Sequence, residues 1–230
     1  MNLSSHATPP SKVVFIGSTG GGVLSRLVSH AFVREMALEA VADRPCGFVD
    51  VARSGGVAAA VIESADGLAF SDALDRRYPD TGNILFLSFY TRLFRGSFLS
   101  RNLGRIFNCH PSLLPAFKGM HGFEDTLAST SRFMGCTLHT VDAGIDGGTS
   151  VIQAAIPIDR QLPTAENRHK VFLAQYYSTL QFLRWVADGR LHLDGNAGAN
   201  ISGARYTPSM FSPNLDPDFF SRLGEANQLA

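Results

Sequence analysis

The 230-residue sequence predicts an α/β fold on an open, twisted, mostly parallel sheet with helices on both faces. Three observations carry this prediction. Short apolar runs alternate with stretches of helical periodicity, the rhythm of strand–helix–strand units. Two β-rich segments between residues 135 and 158 are joined by a short turn, and this implies antiparallel neighbours, because a parallel crossover needs about a dozen residues. Hydrophobic residues make up 45% of the chain, enough for one sizeable core in a single domain. The class is therefore Rossmann-like, with an antiparallel β-hairpin portion.

Lys12 to Gly17 is an apolar run ending in glycine and reads as a buried parallel strand. Ser18 to Gly22 form a Gly-rich turn, after which Leu24, Leu27, Val28 and Ala31 recur at helical spacing in a helix that stops before Pro45. Gly47 to Val51 reads as a second strand, Val57 to Ile62 as a second helix, and Asp72 to Tyr78 as another helical stretch. Asn83 to Leu87 is a strand leading into Ser88–Arg92. Ser97 to Leu103 reads as a short helix and Arg105 to Cys109 as a central strand. A loop with Lys118 and Gly119 precedes a short helix around Phe123 and Leu127, and Gly135 to Val141 and Ser150 to Ile158 are the antiparallel segments. Thr164 is expected to cap a long helix with Phe172, Tyr176, Leu180 and Leu183 on one face and Gly189 closing it. Residues 12–195 are thus expected to form one domain, between a flexible tail over 1–11 and an extension over 196–230. That extension packs on the domain or at an interface, and Arg205 to Phe220 within it reads as a homodimer arm, a lid or self-packing.

Twenty basic and twenty acidic side chains cancel, which argues against a nucleic-acid or acidic-membrane partner of any size. Cys46, Cys109 and Cys136 are odd in number and lack metal-ligand spacing, so they read as reduced thiols of a cytoplasmic protein with no metal site. The first eleven residues lack the basic start and apolar core of a signal peptide. No apolar run is long enough to span a bilayer.

The chemistry gathers at Phe107 to Pro115. Asn108 and His110 are two apart, so on an extended backbone they share a face, while Cys109 points into the opposite one. Pro111 holds His110 away from helical geometry. A carboxamide donor beside an imidazole suits polarisation of a carbonyl. Asp146 lies in a turn with Gly147 and Gly148, which permit a tight bend that brings a carboxylate near other strand ends and beside a histidine. An alternative takes residues 17–22 as a dinucleotide loop with Asp50 on a ribose, but Ser25 occupies the third glycine position of that pattern.

Asn108-x-His110-Pro111-Ser112-Leu113-Leu114-Pro115, then Gly135-x-Thr137-x-His139, then Ile145-Asp146-Gly147-Gly148, resembles the 10-formyltetrahydrofolate-dependent formyltransferases. The likeness is strongest from Leu85 to Pro157 and resumes over Trp185 to Leu191. It implies the formyltransferase fold, a catalytic domain over 12–195, and 10-formyltetrahydrofolate as co-substrate. It implies that Asn108 donates to the formyl oxygen, that His110 stabilises the oxyanion and moves a proton, and that Asp146 orients His110. Thr137 and His139 fall where the family supports a water; the plain alternative is an inward-facing strand pair. By position, the folate pocket takes Arg92, Leu93, Phe94, Leu99, Ile106 and Val141, Asp142, Ala143, Gly144 and Asp146. Equally, Leu99 and Ile106 read as core and Arg92 as a solvated charge.

On the acceptor side the resemblance implies Gly20, Gly21, Gly22, Pro111 and Gln175. There the chain departs from the branch that uses glycinamide ribonucleotide: Gly22 and Val23 replace side chains that contact the phosphate, and Gln175 replaces an acidic residue. The expectation is a small-molecule amine or hydroxylamine acceptor, with glycinamide ribonucleotide second. The segment Leu114 to Gly119 is also similar to formyltetrahydrofolate deformylase, a hydrolase that has a histidine at the position of Pro111 and a further N-terminal domain. A folate-binding protein without catalysis is a third reading.

Overall fold

The computed structural model describes residues 10, 12–194 and 198–206. The expected tail and most of the 196–230 extension, including Arg205–Phe220 beyond Tyr206, lie outside the described residues. The elements run β1 (Lys12–Gly17), α1 (Gly22–Leu27), α2 (Ala31–Met36), β2 (Ala37–Ala42), α3 (Gly47–Ser54), β3 (Ala59–Val61), α4 (Gly67–Arg77) and β4 (Ile84–Phe89). They continue α5 (Gly96–Arg101), β5 (Ile106–His110), α6 (Gly122–Ala128), β6 (Phe133–Thr140), β7 (Ser150–Pro157), α7 (Thr164–Ala187), β8 (Leu191–Asp194) and β9 (Gly198–Ile201).

Seven strands form one sheet in the order β3-β2-β1-β4-β5-β6-β7. The pairs from β3 to β5 are parallel, and β5·β6 and β6·β7 are antiparallel. The pleat of β1 shows why both faces are covered. Val13 and Phe15 join Leu24, Leu27, Phe48 and Phe182 in one core, whereas Val14 and Ile16 join Phe70, Leu74, Phe86 and Phe98 in the other. Helices α1, α3 and α7 therefore lie on one face, and α4 and α5 on the other. The chain leaves β1 for β2 on one side and returns to β4 on the other. This reversal opens a crevice beyond the carboxyl ends of β1 and β4, where open α/β sheets bind ligands.

Several sequence expectations are corrected. The second strand is Ala37–Ala42, whose alanines read as the end of a helix; pairing with β1 and β3 on its two sides overrides that preference. Gly47–Val51 is instead the start of α3, where Phe48, Val49 and Ala52 are buried and Asp50 is exposed, a helical period. Val57–Ile62 contains β3 rather than a helix. The first helix is two, α1 and α2. Thr164 is the first helical residue and does not cap; Pro163 holds the N-cap position without a side-chain bond. Gly189 adopts φ 65°, the left-handed geometry expected just past a helix end. The buried face of α7 runs through Val171, Phe182, Leu183 and Val186, and Phe172 stands off it, half-buried. Finally, β8 and β9 form a separate antiparallel pair that crosses the expected boundary at 195.

Candidate active site

Asn108 and His110 close β5, and the β5·β6 register sets Asn108 opposite His139 and His110 opposite Thr137. All four side chains therefore stand on one face, as cross-strand pairs do. Cys109 faces the other way, into the core with Cys136 and Leu138, and its thiol is pushed up by hydrogen bonding to Cys136 and by burial. The turn after β6 supplies Asp146, held in a left-handed conformation at φ 46°, an uncommon state for a residue other than glycine. Its carboxylate lies 3.4 Å from His110 Nδ1 and 3.6 Å from His139 Nε2, and accepts a 2.8 Å hydrogen bond from the Gly119 N–H. One carboxylate thus faces both imidazoles and ties the 117–119 loop to the 142–148 turn. Gly148 completes that turn: a Cβ there would collide with the Thr140 backbone carbonyl.

His110 is almost fully buried, with Nε2 2.8 Å from the Phe117 carbonyl oxygen. The two ring nitrogens therefore face a carbonyl and a carboxylate, which suits positive charge building on the ring. His139 Nδ1 lies 2.8 Å from the Thr140 oxygen, so Nδ1–H donates there and Nε2 is left as a buried atom with no hydrogen-bond partner among the described residues. Burial pushes the His139 imidazole below its ordinary value; the Thr140 carbonyl and the Asp146 charge offset this only in part. Asn108 is half-buried, and its carboxamide makes no hydrogen bond to another described residue. It is free to meet a ligand.

These groups lie at one side of a cavity of about 530 Å³. Of the residues singled out in the sequence, Arg92, Leu93, Phe94, Asn108, His110, Pro111, His139, Val141 to Asp146, Gly21, Gly22 and Gln175 line it. The others do not. Leu99 and Ile106 sit in the buried cluster directly behind the wall, with Phe94 and Tyr90 and with Val141 packed against them. Gly20 packs beside Gly47 instead. Thr137 is fully buried and its hydroxyl is saturated: it donates to Ser112 O at 2.8 Å and accepts from Leu114 N at 3.0 Å and Gln153 Nε2 at 2.9 Å. It anchors the loop after β5.

Arg92 is not a solvated charge either. Its guanidinium donates to the carbonyls of Ser64 and Ala65 and lies 3.3 Å from the buried carboxylate of Asp43. Burial works to raise the Asp43 carboxyl, but hydrogen bonding from Arg44 and the charges of Arg44 and Arg92 outweigh it and hold it below its ordinary range. Asp43, not Asp50, follows the end of β2, and these cations occupy it. The dinucleotide reading therefore loses its ribose contact. Gln175 Nε2 donates to the Cys109 carbonyl at 2.8 Å, so this carboxamide is fastened to β5.

Sequence reasoning missed Tyr90, Met120 and Phe172, which also line the cavity, and Gly122, where a Cβ would sit 2.6 Å from His110 Nε2. Phe172 was hidden by its fit to the helical apolar period. Gly122 carried no local signal, since its constraint comes from a residue twelve positions away.

The family model described as "Formyl transferase" matches residues 12–176. A phosphoribosylglycinamide formyltransferase from Mycobacterium tuberculosis is 34% identical over 159 residues, covering 65% of this chain and 72% of that protein. The human trifunctional purine biosynthetic protein adenosine-3 is 34% identical over 114 residues, which is 50% of this chain and 11% of that protein. Among solved structures, glycinamide ribonucleotide transformylase 1 from Symbiobacterium toebii superposes with a TM-score of 0.74 at 30% identity, covering 83% of this chain and 93% of that one.

Proposed function

This chain belongs to the formyl transferase family, and we propose that it passes the formyl group of 10-formyltetrahydrofolate to an amine or hydroxylamine nitrogen of a small molecule. It is a transferase. The observation that carries the reading is the convergence of Asn108, His110 and Asp146 on one cavity, with a single carboxylate 3.4 and 3.6 Å from two histidines.

In this reading the folate lies against Arg92, Leu93, Phe94 and the 141–146 turn. The acceptor nitrogen adds its lone pair to the formyl carbon, and the carbonyl π electrons move onto oxygen. The Asn108 carboxamide, with no partner among the described residues, donates to that oxygen, and His110 adds positive potential beside it. Collapse of the intermediate re-forms the carbonyl and breaks the bond to the folate nitrogen. The proton lost by the amine reaches the leaving nitrogen by way of His110. Asp146 orients the imidazole and balances its charge. The free cysteines and zero net charge fit a cytoplasmic enzyme.

The names of the relatives point to glycinamide ribonucleotide as acceptor. Against it stand Gly22 and Val23, which offer no side-chain donor, and Gln175, whose Nε2 is committed to Cys109 O. An amino sugar, a modified amino acid or another biosynthetic amine fits better, with glycinamide ribonucleotide second.

The test is to incubate the protein with 10-formyltetrahydrofolate and a panel of amines and follow tetrahydrofolate release. Amine-dependent release is the expected result. Release without amine would mean hydrolysis, and binding without turnover on the whole panel would mean a folate-binding protein. Absence of folate binding would overturn the reading.

A further inference from the structure

We infer that the acceptor carries an apolar, ring-sized body in place of a phosphate, and that Phe172 selects it; this rests on the formyl-transfer reading above. If the donor occupies the end formed by Arg92–Phe94 and the 141–146 turn, the amine must approach Asn108 and His110 from the other end. That end is walled by Val23, Pro111, Met120, Phe172 and Gln175. Four of these, Pro111, Met120, Phe172 and Gln175, also line a second cavity of about 800 Å³ that runs on to Phe123 and Val171. The two spaces form one groove beside α6 and α7, long enough for a body attached to the amine.

Phe172 roofs the glycine loop. Its Cε2 would lie 3.3 Å from a Cβ built on Gly22, so the ring fills the room beside the glycine. The ring is also held in place: His169 stacks on it at 6.0 Å and 27°, and the Arg26 guanidinium sits 5.4 Å from its centroid. Met120 stands 80% exposed at the mouth, a large apolar side chain held in water unless something covers it.

The cations do not suit a phosphate. Arg168 lines the second cavity, but its guanidinium is paired with Glu124 at 2.7 Å and lies 4.3 Å from the centroid of the Phe123 ring. Arg92 is spent on Asp43, Arg95 lines the first cavity beside Phe94, at the donor end, and Arg26 lines neither cavity. A phosphate between Val23 and Phe172 would lose water without gaining a free counter-charge. A ring or branched alkyl group would bury apolar surface against Val23, Pro111, Met120 and Phe172.

The experiment compares two amines with the same aminoethyl head, 2-phenylethylamine and O-phosphoethanolamine, together with glycinamide ribonucleotide. It measures kcat/KM for tetrahydrofolate release, and titrates 10-formyltetrahydrofolate binding on the same preparation. The expected result is a preference for 2-phenylethylamine of about tenfold or more over both phosphates, or about 1.4 kcal/mol. Phe172→Ser should remove that preference through KM, and the more conservative Phe172→Leu should reduce it, both with donor affinity unchanged. Preference for either phosphate, equal use, or use of none of the three by a protein that binds the donor would overturn the inference and leave the donor site standing. Failure to bind the donor would instead overturn the formyl-transfer reading itself.

Discussion

Replacing Asp146 by asparagine separates its charge from its shape. The carboxylate lies 3.4 Å from His110 Nδ1 and its side chain is 15% exposed, between buried and surface conditions. A unit charge at that distance is worth about 5 kcal/mol at an effective dielectric of about 20 and about 1 kcal/mol in water. The hydrogen bonds narrow the range. Gly119 N–H needs an oxygen, so the substituted carboxamide keeps its oxygen there and turns its NH₂ toward His139 Nε2, which in the wild type has no hydrogen-bond donor among the described residues. His110 then loses its anionic partner while His139 gains a donor. We expect Asp146→Asn to lower kcat about 100- to 1000-fold, or about 3 to 4 kcal/mol of barrier, with thermal stability kept or slightly raised. Single-turnover tetrahydrofolate release and a thermal melt on the same sample measure both. Near-normal kcat in a folded variant would refute the role given to Asp146.

Asn108→Ala should reduce kcat about 100- to 1000-fold with little change in donor affinity, as loss of an oxyanion donor does; steady-state rates and a folate titration check it. Phe182 is fully buried and packs on Phe107 at 4.6 Å between ring centroids. Phe182→Ala should cost about 3 to 5 kcal/mol in a urea melt. Burial depresses the folded-state value of His139 below its unfolded 6.5. Its contribution is therefore fully present above about pH 6.5 and lost as pH falls through the folded value, because the unfolded chain takes up the proton first. Urea melts across that window should show the decline, and His139→Gln should flatten it.

Much of the site was legible because its constraints are local. Asn108 and His110 share a face by strand alternation alone, and Asp146 is marked by the glycines that its turn requires. The edge of the sheet was legible for the same reason, since the short connection after β6 forces an antiparallel partner. What escaped depends on distant neighbours. Ala37–Ala42 has the composition of a helix and becomes a strand only through β1 and β3. Val49 and Val51 suggest a strand, yet Phe48, Val49 and Ala52 make the buried stripe of α3. Thr137 holds the expected position, but its bonds to Ser112, Leu114 and Gln153 turn it into a loop anchor. Phe172 fits the apolar period of α7, and only the fold shows that it lines the cavity.

The proposed reaction moves a formyl group from folate to nitrogen at one site, built on Asn108, His110 and Asp146. A single-turnover reaction with formyl-labelled 10-formyltetrahydrofolate tests it most directly, run on wild type, Asn108→Ala, His110→Ala and Asp146→Asn with donor binding measured alongside. The expected result is label on the amine with wild type, and bound but unreacted donor with each variant. Label released as formate by wild type, or transfer by any variant at the wild-type rate, would contradict it.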